Sequence, residues 1–176
     1  MDRKQLYKET YDFEIERKDR LTASISTPIT VQIAAVIGFS YIVIDIGLLQ
    51  HWYEWLSILF LAGAAALLAF AVTSLVQQNF GYDYGYLPMP DALESYYRQL
   101  RDYYDLYGDQ IVDGNLERDF EDYVVSRYIA EASRNGRNND KRSSYIYRAN
   151  LFTVLSLIPL AIAYMIHILA LLGLVT

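Results

Sequence analysis

Arg134, Arg137, Lys141, Tyr145 and Arg148 recur three or four residues apart. At 100° per residue they fall in one narrow helical stripe, about 21 Å long. Guanidinium and ammonium groups in that pattern can meet phosphates, and a tyrosine among them offers a ring on which a base can stack. The stretch from 134 to 152 holds five basic residues and one acid, in a chain whose net charge is −6. Three readings of the pattern stand side by side. The charge can be topological, marking the foot of the apolar segment that begins at Leu151, with Arg142 and Arg148 as ordinary residues at the lipid surface. It can hold anionic lipid head groups. Or it can bind a soluble anion, a nucleotide or short oligonucleotide. Arg134 and Arg137 favour the last, since helical rise puts them about 20 Å from the apolar segment. The acidity of the surrounding sequence opposes it.

A second set of chemistry-bearing residues lies inside apolar sequence. Thr30, Ala34, Gly38, Tyr41 and Asp45 share one helical face, and an ionisable residue within such a segment usually faces water or a partner. Asp45 sits about 17 residues after Pro28, and His167 about 17 residues into the last apolar stretch. Helical rise therefore gives them matching depths, and they could pair within or between subunits. The competing reading is that Asp45 snorkels to the nearer interface.

Nothing resembles a catalytic constellation. His51 and His167 are the only histidines, and cysteine is absent. No Walker-type loop, HExxH or Gly-x-Ser-x-Gly occurs. The acids Asp109, Asp113, Glu117, Asp119, Glu121 and Asp122 match no metal loop and read as a solvated face. No enzyme, metal or cofactor is expected.

The elements that must position these residues follow from the clustering of apolar residues. The chain has 176 residues, 53% of them hydrophobic. Residues 31–44 carry no charge and the apolar character runs to Leu49; 56–76 and 151–175 are also uncharged. About 20 apolar residues span a bilayer core as a helix. Buried helices of a soluble bundle would show polar faces at helical spacing, and the second and third segments show none. The expected fold is all-α: an integral membrane protein with three transmembrane helices at 27–49, 56–76 and 150–175. An N-terminal helix at 1–26 and a helical domain at 77–149 complete it.

All fifteen Lys and Arg fall in 1–26 and 77–149, and none in the turn 50–55 or the tail. The positive-inside rule then places both charged regions and the N-terminus in the cytoplasm and the C-terminus outside. Trp52, Tyr53 and Trp55 suit the outer interface. No cleavable leader is apparent in the first 20 residues.

Within the charged regions, Thr27-Pro28 reads as the start of the first span or as a kink. Asp91 with Glu94 resembles a capping box for a helix over 92–107. "YGDQIVDGN" is a turn. A second helix starts near Leu116, with Phe120, Val124, Tyr128 and Ala132 as its buried face. Gly136 and three asparagines would weaken a helix there. The spacing of the basic stripe favours one that runs on into the third span, against a break at 135–139.

Three stretches carry a family resemblance: "FEIERKDRLTASISTPITVQIAAVIG", "GYLPMPDALESYYRQL" and "NNDKRSSYIYRANLF". Together they resemble small bacterial transmembrane effectors of anti-phage abortive-infection systems, the Hailong type among them. The similarity covers most of the chain through loose motifs. It implies an inner-membrane oligomer working with a nucleotidyltransferase partner. It also implies short DNA oligomers that hold a channel closed, their loss depolarising the infected cell. The chain has no nucleotidyltransferase motif and would be the effector. Three thin spans cannot enclose a water path, so a channel requires several copies, a tetramer for example. The alternatives are a non-conducting scaffold or assembly subunit and a holin-like membrane disrupter.

Overall fold

The computed structural model describes residues 2–45, 51–107 and 115–174. Every described element is an α-helix: α1 Arg3–Ala23, α2 Ser26–Asp45, α3 Trp52–Asn79, α4 Pro90–Tyr107 and α5 Leu116–Leu171. Three helical stretches are long and apolar enough to cross a bilayer: Arg3–Ile44 counted through the turn between α1 and α2, Trp52–Asn79, and Leu116–Leu171. The turn "YGDQIVDGN", with Asp109 and Asp113, lies outside the described residues apart from its ends.

The helix boundaries have local causes. The chain turns at Ser24 and Ile25, ahead of Thr27-Pro28. The hydroxyls of Ser24 and Ser26 donate to the carbonyls of Leu21 (2.8 Å) and Ala23 (3.2 Å) and occupy acceptors that the helix leaves open there. Pro28 then falls in the first turn of α2, where its missing N–H breaks no ladder bond. At α3 the Glu54 carboxylate accepts the His51 N–H at 3.0 Å. That helix ends at Asn79, and Gly81 at φ 85° takes the left-handed turn that glycine adopts without steric cost.

The start of α4 differs from the sequence expectation, and that of α5 agrees with it. α4 begins at Pro90, so Asp91 lies inside the first turn and is not a cap; proline favours that first helical position. Leu93 N–H already donates to the Met89 carbonyl at 3.1 Å. α5 begins where expected, capped by Asn115, whose side-chain oxygen accepts the Arg118 N–H at 3.1 Å. It runs unbroken for 56 residues, through Gly136 and the asparagines and past Pro159.

The chain divides into two compact units, residues 1–20 with 82–140 and residues 21–81 with 141–176. The first holds most of α1, the segment 82–89, α4 and the first part of α5. Its core is aromatic: Tyr11 meets Tyr128 edge-on at 5.7 Å, and Tyr96 stacks on Tyr123 at 4.1 Å. Phe120 packs on Tyr97 at 5.1 Å. Val125 and Ala132 are buried, while Phe120, Val124 and Tyr128 are half-buried. The second unit holds α2, α3 and the rest of α5. Ile42, Leu61 and Ala163 form its central contact, flanked by Phe39, Phe60 and Leu160. Ile25, Leu75 and Ala149 form another.

Candidate functional site

The basic stripe lies wholly on α5. Arg134 and Arg137 belong to the first unit, and Lys141, Tyr145 and Arg148 to the second. Arg134, Arg137, Lys141 and Arg148 are all exposed. Two members are already engaged. The Arg134 guanidinium donates to the Asp83 carboxylate. The Arg148 guanidinium lies over the Tyr145 ring at 5.7 Å, a cation on the face where a base would stack.

The asparagines interleaved with that stripe are not weak points. Asn135 and Asn139 are fully buried, on the opposite flank of the helix. Asn135 exchanges two hydrogen bonds with the backbone of Gly85, accepting from its N–H at 2.8 Å and donating to its carbonyl at 2.9 Å. The side-chain amide acts there as a strand partner would. Asn139 donates to the Glu14 carbonyl and carboxylate, both at 2.8 Å, and accepts the Tyr84 hydroxyl at 2.6 Å. Asn138 donates to the Asp83 carbonyl at 2.8 Å. The segment 83–85 is thus clasped along α5 by three amides. Gly85 lets the segment approach closely, since a Cβ there would displace the Glu131 carboxylate. Nearby, Lys18 donates to the Tyr86 hydroxyl at 2.9 Å. In the same unit, the hydroxyls of Tyr97 and Tyr104 donate to Glu117 (2.7 Å) and Asp119 (2.5 Å). Those bonds hold both phenols protonated above their usual range.

Arg142 departs from the expectation that it sits at the lipid surface: it is only 6% exposed. Its Nε donates to the Gln78 carbonyl at 3.2 Å, and its Nη2 donates to the Gln78 amide oxygen at 3.3 Å and the Thr22 hydroxyl at 3.0 Å. The signal was present in the spacing. Asn135, Asn139, Arg142, Ile146 and Ala149 recur at four, three, four and three residues, and all five are buried.

The face expected along α2 is split. Thr30 is exposed, with its hydroxyl bonded back to the Ser26 carbonyl at 3.0 Å. Tyr41 is 59% exposed and meets the ring of His167 edge-on at 6.3 Å. Gly38 instead turns toward α5, where its Cβ would stand 3.9 Å from Leu160 Cδ2. His167 itself is buried. The side chain of Asp45 lies outside the described residues, and with it the expected pairing to His167. The buried polar contact that sequence reasoning missed is Gln32, whose amide donates to the Thr153 hydroxyl at 2.9 Å. The Thr153 hydroxyl donates to the Ala149 carbonyl at 2.7 Å, and the Ser156 hydroxyl donates to the Thr153 carbonyl at 2.7 Å. Gln32 is the only amide in its apolar segment, which was the available clue.

The second unit has a groove of about 320 Å³ lined by Gly38, Ile42, Leu157, Leu160, Ala161 and Tyr164. Its lining is apolar but for the tyrosine. Among the described residues, no group of three His, Cys, Asp or Glu side chains could hold a metal ion. Family models, curated proteins and solved structures were all compared with the chain, and none matches it.

Proposed function

We propose that the chain is one subunit of a homo-oligomeric, gated ion channel in the bacterial inner membrane. In this reading it is an effector that depolarises the infected cell in anti-phage defence. The charged helical unit is cytoplasmic and senses a nucleotide or short oligonucleotide made by a partner nucleotidyltransferase. One observation carries the oligomer: Tyr41, deep in an apolar helix, is 59% exposed while Gln32 of the same helix is buried against α5. No more than 28% of any of the three apolar windows is buried within the chain, so lipid or other copies must cover the rest. A phenol hydroxyl facing hydrocarbon without a partner is costly. A second copy, or a water-filled axis between copies, removes that cost. The groove within one subunit is apolar and offers ions no path. Conduction therefore belongs to an axis shared by subunits, toward which the outward face of α2 would turn.

Sensing rests on exposed Arg137 and Lys141 and on Arg134, whose charge gathers around an axis when copies assemble. The test uses the detergent-purified protein, a fluorescent mixed-sequence DNA tetranucleotide and cyclic dinucleotides across a salt series. Binding should weaken as salt rises, because phosphate contacts release counterions. The double variant Arg134→Glu with Arg137→Glu should abolish it. Equal binding by wild type and double variant, or no binding by wild type, would remove the sensor from this reading.

A further inference from the structure

Arg142 stands where three helical segments of the second unit change character. Thr22 lies just before the turn that separates α1 from α2. Gln78 is the penultimate residue of α3. Arg142 is the corresponding position of α5, which continues without a break. One guanidinium reaches the other two. Its bond to the Gln78 carbonyl, at 3.2 Å, satisfies an acceptor that the end of α3 leaves without an intrahelical donor. A cation at that end also opposes the negative pole of the helix. Its Nη2 reaches Thr22 at 3.0 Å.

One layer deeper lie Ile25, Leu75 and Ala149, the apolar cluster drawn from the same three segments. Each is displaced from its tie residue toward the apolar interior: three residues on from Thr22, three back from Gln78, seven on from Arg142. All three are buried. The arrangement is a polar tie over an apolar plug. The planar fork of arginine can reach two segments at once, which a lysine ammonium on the same stem does not reproduce.

We propose that Arg142 is a positioning residue, a releasable tie that registers the ends of the three apolar segments and keeps the plug beneath it closed. The Gln78 and Thr22 oxygens it engages are neutral, so these contacts depend on the direction of the guanidinium N–H groups. Rotation or withdrawal of α5 would break both arms together. The inference refines the channel reading by naming what holds its charged-side end shut, yet the tie itself can be tested without any current.

The chain contains no cysteine. Ala149→Cys therefore introduces a single thiol inside the plug. In the full-length protein, in detergent and in liposomes, its reaction rate with a water-soluble maleimide reports how often the plug opens. Against the Ala149→Cys background, Arg142→Gln and Thr22→Val should each raise the rate by about ten-fold or more, the effect of losing hydrogen bonds to a charged group. Arg142→Lys should restore only part of the protection. Leu75→Cys provides a second reporter should Ala149→Cys not fold. Equal labelling in tied and untied proteins at both reporters overturns the proposal. So does full protection with lysine, because a point charge would then suffice. Ion flux is measured on the same samples. Faster labelling without flux keeps the tie and removes the channel, whereas flux with unchanged labelling removes the tie and keeps the channel.

Discussion

The two compact units both bury polar side chains, but they expose opposite kinds of surface. In the unit of residues 1–20 and 82–140, the most tightly buried side chains include Asn135 and Asn139. Its surface carries ion pairs such as Arg3–Asp122 at 3.0 Å and Arg17–Asp140 at 2.7 Å. Exposed pairs of that kind contribute about 0–1 kcal/mol, so the clasp of segment 83–85 onto α5 matters more to this unit than its salt bridges do. In the unit of residues 21–81 and 141–176, the outside is apolar: Ile37 is 65% exposed, Leu59 66% and Phe70 61%. Water would not tolerate that exterior over three helices, and a bilayer would. α5 contributes to both units with one buried face. It presents amides to the first and, beyond Arg142, mainly Ile146, Ala149, Thr153, Ser156 and Ala163 to the second.

That contrast sets an order of expected effects. The largest falls on the clasp. Asn139→Leu removes three hydrogen bonds, to the Tyr84 hydroxyl and to the Glu14 carbonyl and carboxylate, at about 0.5–1.5 kcal/mol each and more for the charged carboxylate. Hydrogen exchange of the full-length protein should then show faster exchange in 82–86 and in α1, with α3 unchanged. Unchanged protection at 82–86 would mean that the aromatic core alone holds the segment. A smaller effect is expected inside the apolar unit. Gln32→Leu removes the bond to Thr153, and interhelical hydrogen bonds in membranes contribute only about 0.6–2 kcal/mol. A denaturant titration in mixed micelles should show that modest loss. A cost exceeding that of Asn139→Leu would invert the order and make the Gln32–Thr153 bond the stronger polar tie of the two.

Much of this was readable in the sequence, and the unread part has a common cause. Uncharged runs of sufficient length disclosed the three apolar helices, because period and length are local properties. The turn sequence "YGDQIVDGN" before Leu116 disclosed the start of α5 in the same way. Asn135 and Asn139 argued against the continuous helix that the basic spacing favoured and that the chain forms, since intrinsic propensity is also local while their partners are Gly85, 50 residues away, and Glu14, 125 residues away. Arg142 illustrates the same limit. An arginine just before an apolar segment has the same neighbours in sequence whether it faces head groups or another helix. What decides is the Gln78 carbonyl, 64 residues away. Along the face drawn on α2, Thr30 and Tyr41 are exposed and Gly38 packs on Leu160.

Ion flux from liposomes reconstituted with the purified chain tests the central claim, conduction by an oligomer, most directly. Vesicles loaded with potassium should leak in proportion to a power of protein density greater than one, as expected when several copies must assemble before any one conducts. Tyr41→Ala, with helical content retained, should change the leak rate, because Tyr41 sits on the face of α2 that its own chain leaves uncovered. Intact vesicles at every protein density would contradict the account. A leak strictly proportional to density, with Tyr41→Ala behaving as wild type, would contradict the shared axis.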